Sequence, residues 1–331
     1  MPPSSGPLEP LFFERILMEK VWGGTALAER LNARQSLKGK LGESWELSDY
    51  PGQVTRVRGG RFDRVPLRTL MEERGHEILG DSRPGAGGRF PLLVKLIEAE
   101  ESLSVQVHPP DGPSSPTGVG KTEAWYVLDV EEGAELICGL KPGTTRAAFE
   151  PEAGDARVER HLQRLQVRPG DCVLVPAGMT HAIGAGITLA EVQQTSDVTF
   201  RMYDWDRKKD NGEPLRDLHL ADSLRVVDYG LGPGKVVRAR FPAEPDTARN
   251  GSAAADLVDS GYFRLRLLQV GGTAVHRPQG LARVLTVVQG SGAIAGRAVA
   301  FGDTCLLPGT LDVVEIRSGP AGLELLEGIA A

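Results

Sequence analysis

The stretch SVQVHPPDG, residues 104–112, alternates polar and apolar positions and then stops on two prolines. Side chains on a strand point alternately to its two faces, so Val105 and Val107 share one face while Ser104, Gln106 and His108 share the other. Pro109 and Pro110 donate no backbone hydrogen bond, and a strand ends where they begin. A half-buried strand with a wet outer face shows the same alternation. The stretch therefore fixes a strand and leaves the purpose of its polar face to the rest of the chain.

Outward from it, short apolar runs follow one another: FPLLVKLIEAE from Phe90, EAWYVLDV from Glu123, AELICGL from Ala134, CVLVPAG from Cys172 and ITLAEVQQ from Ile187. With 41 glycines and 23 prolines among 331 residues, this reads as many strands joined by turns, as in a barrel or jelly roll. Helical spacing is confined to ALAERLNAR (26–34), PLRTLMEERGHEILG (66–80) and GEPLRDLHLADSLRVV (212–227). Cys172 to Ala190 carries no charge, but Pro176, His181, Gly178, Gly184 and Gly186 suit strand, turn and strand rather than a lipid-facing helix.

The composition excludes several classes. Hydrophobic residues at 40% and charged residues at 25% are ordinary for a globular protein. The net charge of -6, from 38 Lys and Arg against 44 Asp and Glu, gives no reason to expect nucleic acid or an anionic membrane as partner. Cys138, Cys172 and Cys305 stand far apart without a CxxC, so they read as reduced, buried thiols of a cytoplasmic protein. The N-terminus has no basic leading region and charges interrupt its apolar positions, so no secretory signal is expected there. GVGKT (118–122) imitates a phosphate-binding loop, but Ser115 stands where that motif needs glycine and a strand follows it.

The stretch from Gly230 to Arg249 reads as a connection to a second unit that echoes the first. HRPQG (276–280), ARVLTVVQG (282–290) and FGDTCLLPGTLDVVEI (301–316) repeat the order and turn chemistry of HPPDG, TEAWYVLDV and PGDCVLVPAGMTHAI. The expectation is a mainly β protein of two jelly-roll barrels, residues 1–232 and 233–331, with a few helices packed on the first. In the first copy Gln106, His108, Glu123 and His181 are candidate metal ligands; imidazole, carboxylate and carbonyl oxygen suit Zn, Fe or Mn. In the second, His276 matches His108, but Arg283 falls opposite Glu123 and Val313 near His181, so that copy is expected to hold no metal. Ser104, sharing the polar face, is a candidate substrate contact. Trp22 and Trp45 are candidates for a wall on which a sugar stacks.

QVHPPDG, GKTEAWYVLD, GLKPGT, VPAGMTHAIG and SDVTFRMYDWDR, in that order and preceded by VWGG and GESWELS, resemble the short bacterial form of the type I phosphomannose isomerases. The resemblance is close over about residues 11–230. It implies cupin barrels and interconversion of mannose 6-phosphate and fructose 6-phosphate through an enediol. It further implies one zinc per chain on Gln106, His108, Glu123 and His181, with Arg201 as catalytic arginine. Glu191 and Lys121 become candidates for moving the proton, and Lys95 for a phosphate or sugar contact. The lysine of the long form's TPK has no counterpart, since Tyr203, Asp204 and Arg207 of YDWDR stand there. A cupin isomerase of another phosphosugar and a non-catalytic sugar-binding or regulatory cupin are the alternatives. Monomer and homodimer are both open.

Overall fold

The structure, a computed structural model, describes residues 6–241 and 251–331. Strand Leu92–Ala99 is buried at every position, and a mostly apolar run buried on both faces belongs between two layers. It lies within a seven-stranded sheet ordered Val236–Arg238, Asp171–Val175, Glu123–Val130, Ile187–Gln194, Leu92–Ala99, Leu41–Leu47, Ile16–Gly24. One face, with Leu92, Val94, Leu96, Ala190 and Val192, joins the main core. On the other, Ile97, Trp125, Val127 and Leu189 pack against Leu136, Cys138 and Ile183 of a second sheet.

That second sheet has five short strands, ordered Leu162–Gln166, Glu135–Leu140, His181–Ile183, Val105–Val107 and Phe200–Tyr203. Val105 and Val107 are fully buried on its outer side with Phe149, Met202 and Val226. The alternation read from residues 104–108 is therefore real, but both its faces are covered. Its polar face looks into the space between the sheets.

The remaining strands form a nine-stranded sheet that includes Phe263–Val270, Val314–Ala330, Arg283–Ile294 and Thr304–Leu307. Strand Leu11–Glu14 pairs with Thr304–Leu307 in this sheet, while Val236–Arg238 pairs with Asp171–Val175 in the first. The sequence division after residue 232 is thus crossed in both directions. The main core also spans it, since Leu92 and Val192 share a cluster with Phe263, Leu265 and Leu326. Of the expected connection, residues 242–249 lie outside the described residues.

The helical segments are shorter than their sequence patterns: Ala26–Arg30, Leu67–Leu79 and Leu220–Val226. Asn32, at positive φ of 52°, follows the first of these, and residues 215–219, after Pro214, lie outside the last. Among the described residues no helix is long and apolar enough to cross a membrane.

In the second half Glu327 lies 2.9 Å from His276 Nε2 and 2.9 Å from Arg283 Nη1, with Arg266 Nη1 at 3.5 Å. Burial pushes its carboxyl up, but His276 and Arg283 outweigh burial and hold it at about 2. A carboxyl held below its ordinary value of 4.5 stabilises the fold above that pH, and the contribution fades as pH falls toward about 2. The shift corresponds to roughly 3 kcal/mol. Thermal melts of the native protein are expected to drop through this acid window, and those of Glu327→Gln to drop less. Parallel curves would detach Glu327 from acid sensitivity.

Candidate active site

Sheet register, rather than sequence proximity, assembles the site. In the seven-stranded sheet Trp45 is the cross-strand partner of Lys95, Lys95 of Glu191, and Glu191 of Trp125. Two residues further along, Gln193 pairs with Glu123. In the five-stranded sheet Cys138, His181, Gln106 and Arg201 are successive partners. Partners in register project to one face, so these two rows meet across the gap between the sheets. His108, one pleat beyond Gln106, joins them from the end of its strand.

His108, Glu123 and His181 each bring a ligand atom within 4.8 Å of the others, and all three are buried. His108 Nε2 lies 3.3 Å from Glu123 Oε2, and His181 Nε2 lies 3.5 Å from Glu123 Oε1. Each Nδ1 is 2.8 Å from a carbonyl, that of Val198 for His108 and that of Met179 for His181. Donation from Nδ1 to a carbonyl leaves the Nε2 lone pair facing the centre. Burial, with help from Lys121, lowers His108 to about 3, and burial lowers His181 as well. Both imidazoles are therefore neutral near pH 7, the form that ligates a metal.

Burial would raise Glu123, but Lys121 and the two imidazoles outweigh it and hold the carboxyl well below its usual range. Neither of its oxygens accepts a hydrogen bond of good geometry, although Lys121 Nζ stands 2.7 Å from Oε2. An ionised, buried carboxylate with unfilled lone pairs, flanked by two imidazole lone pairs, is a donor set that a divalent cation completes. Gln106 borders it, with Nε2 at 3.3 Å from His181 Nε2. A half-turn of the amide presents its carbonyl oxygen to the same point.

Next to this group, Lys95 points inward rather than snorkelling out, 3.4 Å from Glu191, 3.6 Å from Asp197 and 3.7 Å from Glu43. Burial alone would lower the ammonium, but Glu43, Glu191 and Asp197 reverse the direction and raise it. Glu191 moves the other way for a carboxyl: burial and the Glu123 charge push it up. Trp125 Nε1 donates to Glu191 Oε2 at 3.1 Å, while Oε1 is buried without a hydrogen bond. The nearest ionic partner of Glu191 is thus Lys95. Arg201 donates instead through Nε to Ser104 Oγ at 3.2 Å and through Nη1 to the Asp217 carbonyl at 2.9 Å.

These groups line a cavity of about 280 Å³, near the lower end of the range of ~300–1,000 Å³ for small-molecule pockets. Ser104, Gln106, Lys95, Lys121, Glu123, Glu191, Arg201 and Trp22 all reach it. Trp45 does not. It is buried behind Lys95, whose Nζ lies 4.7 Å from its ring, and it donates to Glu43 Oε2 at 2.7 Å. The expected sugar wall therefore reduces to Trp22. A larger cleft of about 720 Å³ opens between the loop around Arg83 and Tyr262. The one His, Cys or carboxylate group of metal-binding geometry among the described residues borders the smaller cavity, which it reaches through Glu123.

Sequence reading missed Lys20, Glu43, Asp197, Thr199 and Arg216, which also line the cavity. Glu43 carried a usable signal, a charge inside LGESWEL, a strand buried at all its positions. Arg216 carried none, because it comes from an irregular segment.

Residues 11–152 match the model of the type I phosphomannose isomerase catalytic domain. The mannose-6-phosphate isomerase ManA of Bacillus subtilis is 34% identical over 307 residues, covering 91% of this chain and 93% of its own. The crystal structure of the Bacillus subtilis mannose 6-phosphate isomerase superposes with a TM-score of 0.85 at 30% identity, over 97% of this chain and 99% of that one. A zinc-bound mannose 6-phosphate isomerase shares the fold at a TM-score of 0.73 and 15% identity, over 97% of this chain and 99% of that one.

Proposed function

Because the chain belongs to the type I phosphomannose isomerases, we propose that it interconverts mannose 6-phosphate and fructose 6-phosphate with one zinc per chain. The observation that carries this reading is the His108, Glu123 and His181 group, two neutral imidazoles aimed at an ionised carboxylate whose oxygens accept no hydrogen bond. Gln106 is the fourth ligand. We assign residues 1–232 to a catalytic cupin barrel and 233–331 to a metal-free counterpart, in which Arg283 and His276 close on Glu327. The three buried, unpaired thiols support a cytoplasmic setting.

Aldose–ketose isomerisation moves a proton from carbon 2 to carbon 1 and a second from the carbon 2 hydroxyl to the carbon 1 oxygen. Zinc, when bound, supplies a Lewis acid for the two oxygens. Glu191 takes the carbon-bound proton and returns it to the neighbouring carbon; its raised affinity for a proton suits a base working near neutrality. Lys121, with Nζ at 3.9 Å from Glu191 Oε1, passes the proton between the oxygens. Lys95 holds the Glu191 carboxylate in place. Arg201 fixes Ser104 and offers its remaining N–H groups to the substrate. Trp22 walls the sugar.

Elemental analysis of the purified chain, paired with a coupled assay for fructose 6-phosphate before and after chelation, tests the reading. About one zinc per chain and chelator-sensitive turnover are expected. Turnover indifferent to metal removal would dismiss the zinc, and absence of product from metal-loaded protein would dismiss the reaction. His276→Ala is expected to leave zinc content and turnover at native values, since the second half holds no metal. Loss of zinc in that variant would mean that this half contributes to metal binding.

A further inference from the structure

We propose that Arg216, braced by Asp204 and set beside Arg201, binds the terminal phosphate of the substrate. The proposal rests on the isomerase reading and says how the site distinguishes a phosphosugar from a free sugar. A row of contacts runs from His181 through Gln106 and Ser104 to Arg201, with steps of 3.3, 3.3 and 3.2 Å. The metal-binding group and the Arg201 guanidinium thus stand at opposite ends of one wall of the cavity. Carbons 1 and 2 react at the first end, and the phosphate ester on carbon 6 is the far end of the substrate.

Charge is distributed unevenly along that wall. Lys20 has Glu43 at 3.2 Å, Lys95 has Glu191 at 3.4 Å, and Lys121 has Glu123 at 2.7 Å. Arg201 has no ion-pair partner among the described residues, since its contacts are the neutral Ser104 hydroxyl and the Asp217 carbonyl. Arg216 grips Asp204 through Nε at 2.9 Å and through Nη2. That same carboxylate also accepts from Arg207 Nη1 at 3.0 Å. Arg207 finds a second partner in Glu101 at 3.1 Å, at the surface. The nearly buried Asp204 is therefore shared, and the two guanidiniums that line the cavity have less than two carboxylates to satisfy them.

Burial and the neighbouring Arg216 charge disfavour the Arg201 cation, against weaker support from Asp204 and Asp217. An anion placed between the two guanidiniums relieves that repulsion. With Nε and Nη2 of Arg216 engaged by Asp204, its Nη1 remains for a phosphate oxygen, and Arg201 keeps Nη2. Planar forks held by other contacts are pre-organised for phosphate. Thr199, also on the cavity wall, adds a hydroxyl.

Arg216→Ala tests this, with Arg216→Gln as the variant to use if alanine impairs folding. Michaelis constants for mannose 6-phosphate, inhibition by inorganic phosphate, and zinc content are measured for each. The KM and the inhibition constant are expected to rise together, about 10–100-fold, as one charged hydrogen-bonding partner is lost. Turnover number and zinc content are expected to stay near native values. A merely structural role for Arg216 would instead lower turnover and zinc while leaving phosphate inhibition unmoved. Unchanged KM and inhibition constants in a folded variant overturn the proposal. The native protein in the same assay separates the failures, since a native chain that makes no fructose 6-phosphate overturns the isomerase reading itself.

Discussion

Replacing His108 with alanine is expected to strip the chain of its zinc and to lower turnover about 10³-fold. Two of the three closest donors would remain, Glu123 and His181, but the Nε2 that faces Glu123 Oε2 at 3.3 Å would be gone. Two protein ligands and water make a poor zinc site. The loss of a Lewis acid worth several kcal/mol in the transition state translates to that factor, at about 1.4 kcal/mol for each tenfold. His181→Ala should behave alike, because its Nδ1 is anchored the same way to Met179. Glu123→Gln should be at least as severe. It removes the charge that both the metal and Lys121 need, and Lys121 is almost fully buried. Elemental analysis and the coupled assay read all three, with thermal melts of the metal-free proteins as the folding control. Native zinc content in His108→Ala would end the reading of this group as the metal centre.

The part of this site that could be read from the sequence is the part encoded by local periodicity. Ser104, Gln106 and His108 share a face because a strand repeats every two residues, and no other part of the molecule has to be known. The two imidazoles lie near strand ends marked by Pro109, Pro110 and Pro176, which are legible signals, and Glu123 opens its strand after the Gly120 turn. Register is not local. That Lys95 faces Glu191 depends on Leu92–Ala99 and Ile187–Gln194 being neighbours in an exact alignment, and a slip of one residue would turn each side chain to the other face. Nothing local to Glu191 singles out Lys95 as its partner rather than Arg201, which lies on the opposite sheet. Strand Leu11–Glu14 makes the same point at the scale of the fold. LFFE is not among the runs read as strands from the sequence, and only tertiary packing decides that it joins the sheet of the C-terminal half. Arg216 and Asp204 meet between irregular segments, where neither period nor turn chemistry speaks.

Glu191→Gln is expected to lower turnover by about 10²–10⁴-fold, the range attributed to a positioned general base, while zinc stays bound. The substitution keeps the shape of the side chain and leaves an oxygen to accept from Trp125 Nε1, which now donates at 3.1 Å. Structure is also protected on the ionic side, since Lys95 retains Glu43 at 3.7 Å and Asp197 at 3.6 Å when the Glu191 charge is removed. The fold and the metal group therefore have little reason to change, and a fall in rate must come from the proton transfer. An amide cannot accept the carbon-bound proton at neutral pH. Lys121 is the competing base, with its Nζ 2.7 Å from Glu123 and 3.1 Å from His108 Nε2, turned toward the metal-binding group, and 3.9 Å from Glu191 Oε1. Solvent isotope exchange at carbon 2 of mannose 6-phosphate measures the step directly. Loss of exchange together with turnover, at native zinc content, assigns the proton to Glu191; exchange at more than a tenth of the native rate would transfer that role to Lys121.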